Sequence, residues 1–244
     1  MNESFLVSIG ATHPWNIAGV GIDGRIAHEY GLRHAAAIVG VTVQDEGGLR
    51  EKFALPVDFV RAQLEALPSQ GARAFRVGAL FDHENVRAVA CFLESQKEWP
   101  VVTDPVFADS FGNRFASDET VQAFRASMLS LAGVLTPNVP EAEMLTRRPI
   151  ASVDAMIDAA RALCALGPDA VLLKGGHLPG DPVDVLVTAG STEVFADARL
   201  PAAMRGTGCT LAAVLACELA RGTTIVEATV AARAYVRRRI EALV

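Results

Sequence analysis

The segment Arg205-Gly206-Thr207-Gly208-Cys209-Thr210-Leu211 sets two glycines, two hydroxyl side chains and a thiol just before the Ala-rich run 212–220. That run predicts a helix. The first turn of a helix offers backbone N–H groups without intrahelical acceptors and the positive end of the dipole. An anion bound there would meet Gly206, Thr207 and Gly208. Cys209 lies in the same turn, within reach of a transferring group. Phosphoryl transfer also needs carboxylates for a metal ion, a cation on the phosphates and an oriented acceptor. Asp104 follows the apolar stretch 101–103 in Thr103-Asp104-Pro105-Val106, and Glu141 completes an Asn138-x-x-Glu141 pair that opens a helix. Lys174 ends the apolar run 170–174 ahead of Gly175-Gly176-His177. Each residue alone has an ordinary reading as a turn residue, a helix-start acid or a loop cation. Together, at the ends of successive strands, they point to a kinase.

Gly19-Val20-Gly21-Ile22-Asp23-Gly24 also matches the dinucleotide pattern, and Asp45 stands about 20 residues on, where a ribose-binding acid belongs. The context argues against it. Nine residues separate Ile9, the end of the first predicted strand, from Gly19, and His13, Pro14 and Trp15 fall in that gap. A dinucleotide turn follows its strand almost at once. The segment reads instead as a substrate-covering loop, with a helix starting near Asp23.

The elements that must position these residues alternate along the chain. Strands are predicted over 5–9, 34–43, 74–77, 100–103, 134–136 and 170–174, and a hairpin over 184–187 and 192–195. Helical spacing covers 24–30, 58–66, 85–94, 119–131, 140–145, 153–165, 210–221 and 225–243. Strands separated by helices predict a doubly wound, mostly parallel α/β sheet, with the late hairpin as an antiparallel edge. Ligands then bind beyond the carboxyl ends of the strands. With 244 residues and no linker or repeat, one domain over 1–244 is expected. A net charge of −6 argues against a nucleic-acid partner, and 51% hydrophobic with 20% charged residues argues against disorder. No apolar run reaches the roughly 20 residues of a membrane span, and Met1-Asn2-Glu3-Ser4 carries no basic leader. Cys91, Cys164, Cys209 and Cys217 lack metal or disulfide spacing. A cytoplasmic location with reduced thiols is expected. Cys91, Cys164 and Cys217 read as small buried hydrophobes on helices.

Thr136-Pro137-Asn138-x-Pro140-Glu141-Ala142-Glu143, Lys174-Gly175-Gly176-His177-Leu178 and Gly206-Thr207-Gly208-Cys209-Thr210-Leu211, in that order, resemble the hydroxymethylpyrimidine/phosphomethylpyrimidine kinases of the ribokinase-like fold. The resemblance runs from about Phe5 to the last helix. It implies ATP and Mg2+, with a phosphate placed on 4-amino-5-hydroxymethyl-2-methylpyrimidine, on its monophosphate, or on both, in thiamin biosynthesis. It implies Asp104 and Glu141 on the metal side, acting partly through water. Lys174, Asn138 and Thr207 would lie at the nucleotide, and Gly206, Thr207 and Gly208 would form the γ-phosphate anion hole. Cys209 would act as base or as part of that hole. Gln44, Asp23, Ala18, Gly19 and Leu80 would line the acceptor, Gln44 reading the aminopyrimidine edge with an amide that both donates and accepts. A homodimer is expected.

The departures from the family pattern surround the acceptor. The glycine-rich N-terminal loop becomes Gly10-Ala11-Thr12-His13-Pro14-Trp15-Asn16-Ile17-Ala18-Gly19, Lys-x-Gly becomes Arg76-Val77-Gly78, Ser-Gly-Asp becomes Phe111-Gly112-Asn113, and Arg205 replaces histidine. Trp15 and Phe111 are candidates to stack on a planar ring or to fill its space. Arg205 is a candidate phosphate holder, which favours the second phosphorylation. A pyridoxal/pyridoxine kinase and a non-catalytic ligand-binding relative stand as alternatives.

Overall fold

The computed structural model describes residues 4–68 and 70–243; Met1-Asn2-Glu3, on which the reading of the leader rests, lies outside them. The chain runs β1 (Phe5–Thr12), α1 (Gly19–Glu29), β2 (Arg33–Asp45), β3 (Gly48–Ala54), α2 (Val57–Glu65), β4 (Ala72–Val77), α3 (His83–Glu94), β5 (Val101–Thr103) and α4 (Asp118–Ser127). It continues with β6 (Val134–Leu135), α5 (Val139–Thr146), α6 (Val153–Cys164), β7 (Ala170–Lys174), β8 (Val183–Thr188), β9 (Thr192–Ala196), α7 (Thr207–Ala220) and α8 (Ile225–Glu241). The strands form one sheet in the order β3-β2-β1-β4-β5-β6-β7-β8-β9. Its centre, β2 to β7, is parallel, as predicted.

Both faces of the sheet are covered, and the strand sequences show why. Alternate side chains go to opposite faces. Val7, Ile9, Phe75, Val77, Leu135, Val171 and Leu173 pack under α2 to α6. Leu6, Ala74, Val102, Val134 and Leu172 pack under α1, α7 and α8. Strands apolar on both faces read as continuous hydrophobic runs, the signature of a doubly wound sheet. Several helix starts are fixed by side-chain caps. The Ser117, Ser152 and Thr224 hydroxyls accept first-turn N–H groups, and Asn138 with Glu141 forms a reciprocal capping box. No helix among the described residues is long and apolar enough to cross a membrane.

Three expectations are corrected. Antiparallel strands lie at both edges, because β2 extends to Asp45 and turns into β3. β3 lies at the sheet edge, and its sequence Leu49-Arg50-Glu51-Lys52-Phe53 is exposed from Arg50 to Phe53 with no alternating buried face. The string Gly19 to Gly24 is the first part of α1 and not a loop. Cys91 is exposed, whereas Cys217 is buried and Cys164 half-buried.

Candidate active site

β1 and β4 are neighbours in the sheet although β2 and β3 intervene in the chain. The direction of winding reverses between them, and such a switch point opens a crevice at the carboxyl ends of the strands. A cleft of about 670 Å3 lies there. Its rim is built from the ends of β1, β2, β4, β5, β6 and β7 and from the start of α7.

Asp104, just beyond β5, is the hub of the polar floor. Its Oδ1 accepts from Lys174 Nζ at 2.9 Å and Thr136 Oγ1 at 3.1 Å, and its Oδ2 from Arg76 Nη2 at 3.0 Å. Burial pushes this carboxyl up, but Lys174 and Arg76 outweigh it and hold the pKa below the ordinary value. Arg76 is only 1% exposed and also lies 3.4 Å from Asp23 Oδ2. Asp23 is fully buried and its oxygens lack a well-formed hydrogen bond. Burial raises its pKa to about 6, with Arg76 opposing. Glu141 is buried as well; its Oε2 accepts from Asn138 N at 2.7 Å. Burial carries its pKa up to about 8, Lys174 opposing and Asp104 reinforcing the shift. Lys174 stays protonated because Asp104 and Glu141 outweigh its own desolvation. Three carboxyl groups thus share two cations in this floor; Asp104 stays ionised, whereas Glu141, raised to about 8, holds its proton at neutral pH until a further cation joins it.

Opposite this floor, α7 begins without a side-chain cap. Its first N–H groups are therefore free to face a ligand. Gly206 adopts φ +75°, and a Cβ there would overlap the Ile17 carbonyl. Gly19 adopts φ +59°, and a Cβ on it would overlap the Ala11 carbonyl. Only glycine meets both demands. A Cβ on Gly208 would lie 3.0 Å from Lys174 Nζ, so the ammonium and the open helix start converge on one point. The Cys209 thiol lies near the Gly19 N–H and the Arg76 guanidinium, both of which favour its thiolate. Burial raises the thiol pKa above its ordinary value, with Arg76 pulling the other way.

The acceptor-side wall carries Ala18, Gly19, Thr42, Gln44, Ala79 and Phe81. His13 is buried beneath the 13–18 loop, where its Nε2 accepts from Ala18 N at 3.2 Å. Burial, with Arg205 adding to it, lowers its pKa and keeps the ring neutral.

The cleft therefore brings together Cys209, Gly206, Thr207, Gly208, Lys174, Asn138, Asp104, Glu141, Gln44, Ala18 and Gly19. Two expected acceptor contacts lie elsewhere. Leu80 is 4% exposed in the core, its neighbours Ala79 and Phe81 lining the cleft instead. Asp23 is sealed beneath the floor against Arg76. Trp15 and Phe111, half exposed, stand outside the lining, and Arg205 is engaged with Gln44, Asp45 and Phe111. Sequence reasoning passed over Arg76 as a hub. The signal was a lone arginine inside the apolar strand Ala74-Phe75-Arg76-Val77.

A metal ion has donors here. Among the described residues no three His, Cys, Asp or Glu side chains form a protein-only cage. Mg2+ does not need one, since it keeps waters and phosphate oxygens and takes one or two carboxylates. Asp104 and Glu141, both in the cleft lining, are the carboxyl groups that would meet that requirement, and a bound cation would also draw the proton from Glu141.

A family model described as phosphomethylpyrimidine kinase matches residues 16–244. The hydroxymethylpyrimidine/phosphomethylpyrimidine kinase of Streptomyces coelicolor is 36% identical over 228 residues, 92% of this chain and 84% of that protein. The solved phosphomethylpyrimidine kinase of Clostridium difficile 630 superposes with a TM-score of 0.87 at 28% identity, covering 97% of this chain and 99% of that one. A Staphylococcus aureus pyridoxal kinase in complex with AMP-PCP and pyridoxal superposes with a TM-score of 0.87 at 25% identity, covering 96% and 86%. The fold is ribokinase-like.

Proposed function

The chain belongs to the phosphomethylpyrimidine kinase family, and from that premise we propose how its cleft phosphorylates 4-amino-5-hydroxymethyl-2-methylpyrimidine or its monophosphate. As a kinase it uses ATP. The γ-phosphoryl group lies between Lys174 Nζ and the open first turn of α7. That convergence is the observation that carries the reading. An acceptor oxygen attacks phosphorus, the β–γ bridging P–O bond breaks, and ADP leaves. Charge developing on the phosphoryl oxygens meets Lys174 and the N–H groups of Thr207, Gly208 and Cys209 in a desolvated setting. Asp104 and Glu141 would hold Mg2+ through water; bound there, the ion neutralises phosphate charge. For the hydroxymethyl substrate, Cys209 receives the hydroxyl proton in its thiolate form, a minor form because burial raises the thiol and Arg76 beside it offsets only part of that rise. For the monophosphate, the acceptor oxygen belongs to phosphate and needs no such base. Gln44 reads the ring edge.

The test is ADP release with ATP and Mg2+ on hydroxymethylpyrimidine, on its monophosphate and on pyridoxal, beside Cys209→Ala. Turnover of a pyrimidine supports the substrate reading. A fall of roughly 100-fold or more in kcat for hydroxymethylpyrimidine in the variant supports the base. No turnover of either pyrimidine refutes the substrate reading. Pyridoxal is a second reading, supported by the likeness to a pyridoxal-bound kinase. The retained Asp104, Glu141, Lys174 and Cys209 weigh against a non-catalytic binder.

A further inference from the structure

Gln44 is held at both ends. Arg205 Nη2 donates to its Oε1 at 2.9 Å, and its Nε2 donates to Thr42 Oγ1 at 3.0 Å. Thr42 Oγ1 in turn donates to the Thr12 carbonyl at 3.4 Å. The polarity of this relay is fixed by chemistry. An arginine can only donate, so the amide oxygen must face it and the amide nitrogen must face Thr42. The threonine hydroxyl has a single proton, committed to Thr12, which leaves its lone pairs for Gln44. Arg205 is itself anchored: Nη1 donates to the Asp45 carbonyl at 2.6 Å, and the guanidinium lies 5.6 Å from the Phe111 ring centroid. It directly precedes Gly206.

The geometry points to Arg205 as a specificity-determining residue that acts through Gln44, fixing which end of the amide donates and which accepts toward the acceptor ring. The inference rests on the proposed pyrimidine reading of the same cleft. With the relay formed, Gln44 keeps one N–H and one oxygen lone pair for a ligand. A ring nitrogen beside an exocyclic amine satisfies both. An acceptor without that adjoining pair, such as pyridoxal, leaves one of them unpaired, and a buried polar group left without its partner is costly. Without Arg205 only Thr42 Oγ1 holds the amide, and that hydroxyl can give up its long 3.4 Å bond to Thr12 and donate to the amide oxygen instead, so the reversed order becomes accessible.

The experiment is a double-mutant cycle on the full chain with Arg205→Met, Gln44→Ala and the pair. KM and kcat are measured for hydroxymethylpyrimidine and pyridoxal, with KM for ATP and thermal melting alongside. Arg205→Met is expected to raise KM for the pyrimidine about tenfold, with a smaller fall in kcat and KM for ATP within about twofold. The double variant should lose no more than about twofold beyond Gln44→Ala alone. KM for pyridoxal, if that ring is turned over, should shift less than threefold or so. Arg205→Lys, which keeps a donor for Oε1, should recover part of the loss; should Arg205→Met fail to fold, Arg205→Ala takes its place in the cycle. Effects that simply multiply, or an equal loss on both rings, overturn the inference while the substrate reading stands. Absence of pyrimidine turnover by the unmodified enzyme refutes that reading, and this inference with it.

Discussion

The two walls of the cleft are made differently. The phosphoryl wall is built from strand ends, an open helix start and a closed set of charges: Arg76, Asp104, Lys174 and Glu141. The acceptor wall is made of side chains from four separate segments, the 13–19 stretch, the β2–β3 hairpin, the 79–81 turn and the 108–113 loop. Arg205 bridges two of them: it donates to Gln44 and Asp45 of the hairpin and covers Phe111 of the loop. Asp109 adds a further tie, accepting from Leu49 N at 2.9 Å across that same seam. On the proposed reading, chemistry common to all acceptors is thus fixed by backbone geometry and buried charge. Discrimination is assigned to parts that can be exchanged without disturbing the sheet.

The sharpest way to break this division is at Lys174. Lys174→Met removes the ammonium that faces the anion turn but leaves Arg76 paired with Asp104. The fold should persist, and kcat/KM should fall about 1,000-fold whichever acceptor is supplied. Steady-state kinetics and a thermal melt check both halves. A loss smaller than roughly tenfold, or one confined to a single acceptor, would mean the ammonium does not meet the transferring group.

A smaller effect probes the charge beneath the floor. Asp23 takes up its proton at about 6 in the fold, well above the ordinary carboxyl value. Between those two values the folded state holds a proton that the unfolded chain has released. Stability contributed at this site therefore falls as pH rises from about 4 to about 6. Asp23→Asn removes that dependence. His13, His34 and His177, whose values burial lowers, push stability the other way near their own range, but they are common to both proteins. The melting temperature of wild type minus that of Asp23→Asn should therefore drop as pH rises, by roughly 2–4 °C per pH unit in that window. A flat difference would show that Arg76 already keeps Asp23 charged.

The same division explains what could be read before any coordinates. Lys174, Glu141, Asp104 and the turn at Gly206 to Cys209 announce themselves because a strand end or helix start allows few residue types there. The parallel centre of the sheet was legible from its apolar runs. β3 was not, because it is solvated and charged and carries no apolar run or alternation to mark it as a strand. Asp23 and Leu80 were misplaced for a different reason. The family resemblance placed Asp23 at the acceptor, and in the fold Arg76 claims it instead. Leu80 differs from Ala79 and Phe81 only in which way the chain turns there, and at Phe81 the backbone takes φ +65°.

The smallest expected effect tests the acceptor wall from outside. Trp15, in a stretch that departs from the family pattern, is a natural candidate to stack on a planar ring. In the fold it is 50% exposed and stands outside the cleft lining, on a loop anchored by His13 and by the close approach of Ile17 to Gly206. An exposed side chain without such contacts contributes little to stability. Trp15→Ala should therefore shift KM for the acceptor by no more than about twofold and leave the melting temperature within roughly 1–2 °C. A rise in KM of tenfold or more, with melting unchanged, would require the loop to swing inward on the bound ring. The acceptor wall would then be a moving part completed by its substrate, and the contrast with the preformed phosphoryl wall would become one of mobility as well as of construction.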